Sequence, residues 1–244
     1  MKTYKIKTIT AGSYGPVSEF ALLEDGDINR ILELPSIMYA LEADDGEIII
    51  CDTSFKDAEV STKVMASTIF PVDVKREKPF EEIMHDNGID PDKISRIILS
   101  HHHWDHAGGV CFFPNAKVYI QKKEWDFAMA DDNYGPEFKQ ELLDFKDRVI
   151  TIDGPDSTTF EGIEMVPVGA HTVGLQILFV NTAEGKVCIP FDVVGRSDIL
   201  TKNKTGRSIN PEEMKAAIEL IKNSGSVRIL CSHDEEDVEH TDIP

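Results

Sequence analysis

The stretch His101-His102-His103-Trp104-Asp105-His106-Ala107-Gly108-Gly109 places five side chains of types that bind metals within six positions. It follows residues 96–100, an apolar and β-branched run that predicts a buried strand. Because residues two apart on an extended chain point the same way, His101 and His103 can converge on one cation. The two glycines allow a tight turn that could direct Asp105 and His106 at a second cation. One histidine in a core is ordinary, but this density of ligands at a strand end predicts a metal site.

Outside this stretch, the chain predicts alternating strands and helices, with strands in the majority. The predicted strands span residues 4–9, 47–51, 96–100, 117–120, 148–152, 163–168, 175–180, 186–191 and 227–231. Helices are predicted near 80–84, over 122–129 and 137–147, and from an Asn210 N-cap with Glu213 completing a capping box. Two mixed sheets packed face to face with helices outside would satisfy this pattern. No linker separates two parts, so residues 1–244 are expected to form one domain.

The composition narrows the class of protein. With 44 acidic and 25 basic residues, the net charge is −19, which opposes binding to nucleic acid through phosphate contacts. No apolar run approaches the ~18 residues of a membrane span, and the first residues lack the apolar core of a signal peptide. Four cysteines lie far apart in sequence, as is typical of free buried thiols in a reducing compartment. We therefore expect a soluble cytoplasmic protein that acts on a small molecule, with a homo-oligomer left open.

Three later residues add further candidate ligands. His171 lies in a glycine-flanked turn between two predicted strands, Asp192 ends another, and His233 follows the last one. Ligands commonly lie at the carboxyl ends of strands. Each residue alone is more typical of a hydrogen-bonded structural position, but together with the cluster they could complete two metal sites.

The order His-x-His-x-Asp-His at 101–106, with the trailing Ala107-Gly108-Gly109, resembles the signature of the metallo-β-lactamase superfamily. The resemblance implies a four-layer αββα sandwich with two metals between the sheet edges. It further implies one ligand set for each metal: His101, His103 and His171 for the first, Asp105, His106 and His233 for the second, and Asp192 bridging both. Asp52 matches the family's structural aspartate, which braces the ligand loop without binding metal.

Two divalent ions at such a site imply hydrolysis. Paired metals ~3.5–4 Å apart lower the pKa of water toward ~7, so a bridging hydroxide could attack a carbonyl. Asp105 could orient that nucleophile or accept its proton, as the resemblance implies. Histidine and aspartate ligands suit zinc, which we favour, and leave manganese, iron or cobalt open. The resemblance also leaves open a redox alternative, a mononuclear iron enzyme similar to the persulfide dioxygenases.

Within the superfamily, the chain most resembles the N-acyl homoserine lactonases. The likeness rests on SHHHWDHAGG at 100–109, YIQKKEW at 119–125 and Cys231-Ser232-His233-Asp234. Those lactonases commonly carry a tyrosine three residues after the bridging aspartate, where it contacts the substrate carbonyl. Here that position is Gly195. The likeness makes a lactone the expected substrate, and the glycine at position 195 leaves another cyclic amide, ester or thioester as the alternative.

Candidate substrate contacts are Trp104, Arg196 and Lys202. Trp104 is expected either in the pocket wall or packed beneath the site. Arg196 and Lys202 belong to a basic segment, 195–209, in which four cations accompany one acid, Asp198. One of these cations could meet a substrate or product carboxylate, although a charged run is usually a solvated surface loop.

Overall fold

Two β-sheets packed face to face form the centre of the computed structural model, which describes residues 2–234 and 242–244. The first sheet has eight strands: β1 (Tyr4–Ser18), β2 (Ile31–Ala43), β3 (Ile48–Cys51), β4 (Asp73–Lys75), β5 (Arg96–Ile98), β6 (Lys117–Gln121), β7 (Val149–Ile152) and β12 (Asp242–Ile243). Its order is β12-β1-β2-β3-β5-β6-β7, with β4 paired to β1. The pairs from β3 to β7 are parallel, and the others are antiparallel.

The second sheet is smaller and also mixed. Its four strands are β8 (Ile163–Pro167), β9 (Gln176–Thr182), β10 (Gly185–Phe191) and β11 (Arg228–Cys231). They lie in the order β11-β10-β9-β8, and only the β10–β11 pair is parallel.

Helices surround the two sheets. The α-helices are α1 (Glu19–Leu22), α2 (Ala58–Met65), α3 (Phe80–Asp86), α4 (Trp104–Ala107), α5 (Lys122–Ala130), α6 (Pro136–Asp144), α7 (Asp198–Thr201) and α8 (Pro211–Lys222). Short 3₁₀ turns occupy Pro91–Lys93, Gly108–Phe112 and Lys146–Arg148. Among the described residues, no helix is both long and apolar enough to cross a bilayer.

Buried apolar clusters separate the layers. One cluster fills the space between the sheets, where Tyr39 and Leu41 of the first meet Leu178 and Ile189 of the second. Another places α3, α5 and α6 on the outer face of the first sheet, and a third places α8 on the outer face of the second. The predicted αββα sandwich of two mixed sheets flanked by helices is therefore confirmed.

The first two strands differ most from expectation. The alternation at 4–9 marks only the start of β1, which continues to Ser18 through irregularities in its pairing with β2 near Gly12 and between Tyr14 and Val17. Strand β2 was not predicted, because residues 34–41 are buried in an unbroken run and show no alternation. A strand covered on both faces loses the period of two that marks a half-exposed one.

Individual residues in the sequence correctly predicted the ends of two helices. Gly88 adopts a left-handed φ of 72° after α3, and Asn210 caps α8 by accepting from the backbone of Glu212 and Glu213. The capping box predicted for Glu213 is wrong. Its carboxylate instead accepts a hydrogen bond from Ala170 N at 3.2 Å, so it supports the loop that carries His171.

No disulfide joins the four cysteines, which agrees with the thiols expected from their wide spacing. Three of them are buried, but Cys111 is exposed, which corrects the expectation of a buried thiol at that position.

Glu141 on α6 is expected to make stability fall as pH rises. Burial raises the pKa of its carboxyl to about 7, above its ordinary value of 4.5. The folded state therefore holds its proton more tightly than the unfolded state, and stability is lost as pH rises from about 4.5 through 7. Glu141→Gln should be more stable than the wild type at pH 8, by ~2 kcal/mol, and nearly equal to it at pH 4. Urea denaturation across this pH range measures the difference, with Glu137→Gln on the exposed side of the same helix as control. A difference independent of pH would contradict this account.

Candidate metal centre

The structure brings together all seven predicted ligand side chains at one end of the sandwich. His101 and His103 follow β5, Asp105 and His106 lie in α4, and the remaining three come from the second sheet. These three are His171 in the loop between β8 and β9, Asp192 directly after β10, and His233 directly after β11. Both sheets therefore contribute to one cluster, which contains two groups able to hold a cation.

The first group consists of three imidazoles and one carboxylate. His103 Nδ1 lies 3.0 Å from His101 Nε2 and 3.1 Å from His171 Nε2. Asp192 Oδ2 lies 3.3 Å from His171 Nε2 and 3.8 Å from His101 Nε2. Burial and the neighbouring imidazoles hold the pKa of His101 and His103 well below the usual histidine value, so both rings are neutral and offer lone pairs. Such a donor set suits a divalent transition metal.

The second group consists of Asp105, His106 and His233. Asp105 Oδ2 lies 3.6 Å from His106 Nε2 and 3.8 Å from His233 Nε2. All three side chains are buried. The three atoms face a common point, as ligands of one ion would.

Asp192 stands between the two groups and offers one oxygen to each. While Oδ2 faces the first group, Oδ1 lies 3.2 Å from His106 Nε2 and 3.1 Å from His233 Nε2. Burial acts to raise the pKa of Asp192, but the charges of His106, His233 and His171 hold it well below its usual range. An ionised carboxylate in this position can join two cations.

The chemistry of His106 fits a metal better than it fits the protein alone. Its Nδ1 lies 2.7 Å from Asp52 Oδ2, whereas its buried Nε2, 3.2 Å from Asp192 Oδ1, does not have the geometry of an aligned hydrogen bond. Burial lowers the pKa of His106, but Asp192, Asp105 and Asp52 together raise it well above its usual value. The negative field that favours a proton at Nε2 favours a metal ion there equally.

Asp52 connects ligands of both groups. It directly follows β3, with a left-handed φ of 53°, and its Oδ1 accepts from Ser100 N at 2.8 Å. Its Oδ2 accepts from Ser100 Oγ at 2.7 Å as well as from His106. Because the Ser100 hydroxyl donates to Asp52, it must accept from His101 Nδ1, 2.8 Å away, which leaves His101 Nε2 unprotonated. The Asp52 carboxylate thus determines the tautomers of His106 and His101. The sequence did not reveal that Ser100 connects Asp52 to His101.

Glu124, at the start of α5, joins the two ligand-bearing loops. Its Oε1 accepts from the ring and the backbone N–H of His102. Its Oε2 accepts from Thr172 Oγ1 at 2.9 Å and Gly174 N at 2.8 Å, on either side of the turn after His171. His102 therefore faces away from the metal positions. The sequence contained no local sign of this clamp, because its members are up to 50 residues apart.

Two cavities meet at the cluster and share His103, His171, Asp192 and His233 in their walls. The smaller lobe, of about 350 Å³, is lined by apolar residues that include Leu22 and Ile199. The larger lobe, of about 550 Å³, is lined by residues that include Phe70 and Phe138. The space beside the metal positions is thus mainly apolar.

Trp104 lies in the wall of a cavity and also packs against a neighbouring aromatic ring. It lines the larger lobe, and its ring stacks on Phe138 with centroids 5.7 Å apart.

The basic segment is largely neutralised by acids. Lys202 Nζ lies 3.5 Å from Asp198 Oδ2, and Lys204 Nζ lies 3.3 Å from Glu19 Oε2. Arg207 donates to the carbonyl of Phe20. Lys202 does not line either lobe, so the structure does not place it as the substrate contact that we expected. Arg196 does line the smaller lobe, while its Nη1 donates to His233 O at 3.4 Å.

Tyr14 of β1 reaches the cluster from a part of the chain that suggested no functional role. Its hydroxyl oxygen lies 3.3 Å from His233 Nδ1 and 3.5 Å from His233 Nε2, and its ring meets Trp104 edge-on. The side chain lines the larger lobe. Burial, with the charges of Asp105 and Asp192, raises the pKa of Tyr14 well above its usual value, so the phenol keeps its proton.

Fold and site geometry together define a class. A family model described as the metallo-beta-lactamase superfamily matches residues 67–233, a range that contains all seven candidate ligands and ends at His233. The chain belongs to the metallo-β-lactamase superfamily.

Several relatives within this class are lactonases. The N-acyl homoserine lactonase AiiA of Bacillus thuringiensis subsp. kurstaki is 28% identical over 217 residues, covering 85% of this chain and 84% of the relative. A crystal structure of a B. thuringiensis AiiA variant with N-decanoyl-L-homoserine at its active site superposes with a TM-score of 0.83 at 25% identity, covering 98% of this chain and 97% of that one. AidC, a dizinc quorum-quenching lactonase in complex with a product, shares the fold with a TM-score of 0.73 at 16% identity, covering 96% and 91%.

Proposed function

We propose that this protein is a dinuclear metal-dependent hydrolase that opens lactone rings, with N-acyl homoserine lactones as the substrate class and zinc as the metal. The observation that carries the proposal is the position of Asp192, which directs one carboxylate oxygen at each of two ligand groups. The lactonase relatives and the AiiA structure with N-decanoyl-L-homoserine support the choice of substrate.

Seven residues would hold the metals: His101, His103 and His171 the first, Asp105, His106 and His233 the second, and Asp192 both. When bound, two divalent cations polarise a carbonyl and make water a nucleophile near neutral pH. Asp105, whose carboxylate lies beside His106 and His233, would orient the attacking water and accept its proton. Asp52 would act indirectly, by holding the rings of His106 and His101 in the required tautomers.

The two lobes suit a small ring joined to an apolar tail. The ring carbonyl must reach the ligand cluster, which both lobes share, while Phe70 and Phe138 provide an apolar wall for an acyl chain. Trp104 lies in that wall, and Arg196 lies in the wall of the smaller lobe. We therefore assign Trp104 to the acyl chain and leave Arg196 as the candidate cation for the product carboxylate.

Metal analysis followed by a substrate panel tests the proposal. The purified protein should contain two divalent ions per chain. It should hydrolyse N-acyl homoserine lactones with kcat/KM of ~10⁴ M⁻¹s⁻¹ or higher, favouring long acyl chains over short ones. Simple γ-lactones, thioesters and cyclic amides complete the panel, and pH-stat titration follows the acid released.

Two results would contradict the proposal. A preference for a thioester or a cyclic amide would retain the hydrolase and replace its substrate. One iron per chain, with oxygen consumption on a persulfide, would instead favour the dioxygenase alternative.

A further inference from the structure

Tyr14 is the one phenol among the described residues whose hydroxyl lies within 3.5 Å of a candidate ligand side chain. It is 9% exposed, and its ring is held edge-on between Trp104, at a centroid distance of 5.3 Å, and His233, at 5.7 Å. Irregular pairing of β1 with β2 flanks it on both sides. Irregularities of this kind re-aim side chains near active sites.

Once metal ions are bound, His233 cannot accept the hydroxyl proton of Tyr14. His233 Nδ1 lies 2.9 Å from the carbonyl oxygen of Pro35, so that nitrogen carries a proton and cannot accept one. His233 Nε2 points toward Asp192 Oδ1 and would be occupied by a metal. Once the ions are present, neither nitrogen of the ring can accept from Tyr14, and the phenol donates either to Asp105, its other hydrogen-bond partner, or to a bound molecule.

The Tyr14 hydroxyl lies beside His233, a member of the second ligand group. It lies 3.5 Å from His233 Nε2, an atom that a metal would approach to ~2 Å. The phenol therefore lies beside the second ligand group, where a substrate oxygen would be held. Tyr14 also lines the larger lobe, so it faces the space that the substrate would enter.

We propose that Tyr14 is a catalytic residue that donates a hydrogen bond to the substrate oxygen on which negative charge develops during ring opening. This proposal rests on the proposed lactone hydrolysis. No proton is transferred; the phenol stabilises the charge and remains protonated. A donor aimed at developing charge contributes more in the transition state than in the ground state, so its effect should appear mainly in kcat.

Tyr14→Phe tests the role, because the ring and its packing are retained. We expect kcat for an N-acyl homoserine lactone to fall ~10–100-fold, with KM changed less than ~3-fold, which is the range for losing one hydrogen bond to a charged group. The metal content should stay at the wild-type value. The matched control is Tyr119→Phe on β6, whose ring packs against Phe160.

A second measurement does not depend on turnover. A five-membered cyclic phosphonate mimics the anionic intermediate, and calorimetry should show it binding at least ~10-fold more weakly to Tyr14→Phe than to the wild type. Wild-type protein that hydrolyses no lactone would refute the proposed function, while the phosphonate comparison would still decide the role of Tyr14. Unchanged phosphonate affinity, or loss of a metal from the variant, would overturn the inference and leave Tyr14 as a support for Asp105 or His233.

Discussion

Asp192→Ala is expected to lower kcat/KM by ~10³-fold or more and to leave the protein with fewer than two bound ions. The reason is geometric, because a single carboxylate provides the negative charge between the two groups. Its removal leaves His106 and His171, which lie 3.2 and 3.3 Å from its oxygens, without a shared counter-charge. The repulsion between two bound cations would then be offset by one negative charge fewer. Elemental analysis and lactone hydrolysis measure the two effects.

Asp192→Asn separates charge from shape, since the amide keeps the size of the side chain. We expect it to lose most of the activity as well. Asp126→Ala is the control, because Asp126 is exposed on α5 and pairs only with Lys122 among the charged groups around it. Two ions and wild-type turnover in Asp192→Ala would refute the bridging role.

Asp52→Asn should weaken metal binding ~10–100-fold although Asp52 is not among the proposed ligands. The carboxylate accepts three hydrogen bonds, two from Ser100 and one from His106. An amide cannot accept all three, because its NH₂ group would face a donor. At least one buried donor would lose its partner, which should also destabilise the fold by ~1–3 kcal/mol.

Ser100→Ala provides a graded comparison. It breaks only the connection from Asp52 to His101, so its effect on metal affinity should be smaller than that of Asp52→Asn. Competition with a chromophoric chelator measures affinity, and urea denaturation measures stability. Asp126→Asn serves as the control for the same chemical change. Equal affinities in the wild type and Asp52→Asn would refute the positioning role.

The parts predicted from sequence were those determined by neighbouring residues. The apolar run before His101 predicted strand β5 and therefore the position of the ligands that follow it. Asn210 predicted the start of α8. His171, Asp192 and His233 could be proposed because each follows a strand. Their joint metal-binding role and the single domain over residues 1–244 stay predictions, the latter supported by a central cluster that contains both Tyr4 and Ile243.

The parts that were missed depend on contacts between distant residues. Tyr14 meets His233 across 219 positions, and Lys204 is neutralised by Glu19 from the far end of the chain. The basic segment therefore appeared more cationic in sequence than it is in the fold. Neither hydrophobic periodicity nor local charge carries information about such partners.

The distribution of ligands over both sheets has a consequence for the lifetime of the protein. Ions held by His101 and His106 on one side and by His171 and His233 on the other would tether the two halves of the sandwich, in a chain whose cysteines form no disulfide. A ligand that binds only the folded chain stabilises it according to its free concentration. The supply of metal in the surroundings would then govern how long each molecule persists, as well as how fast it works.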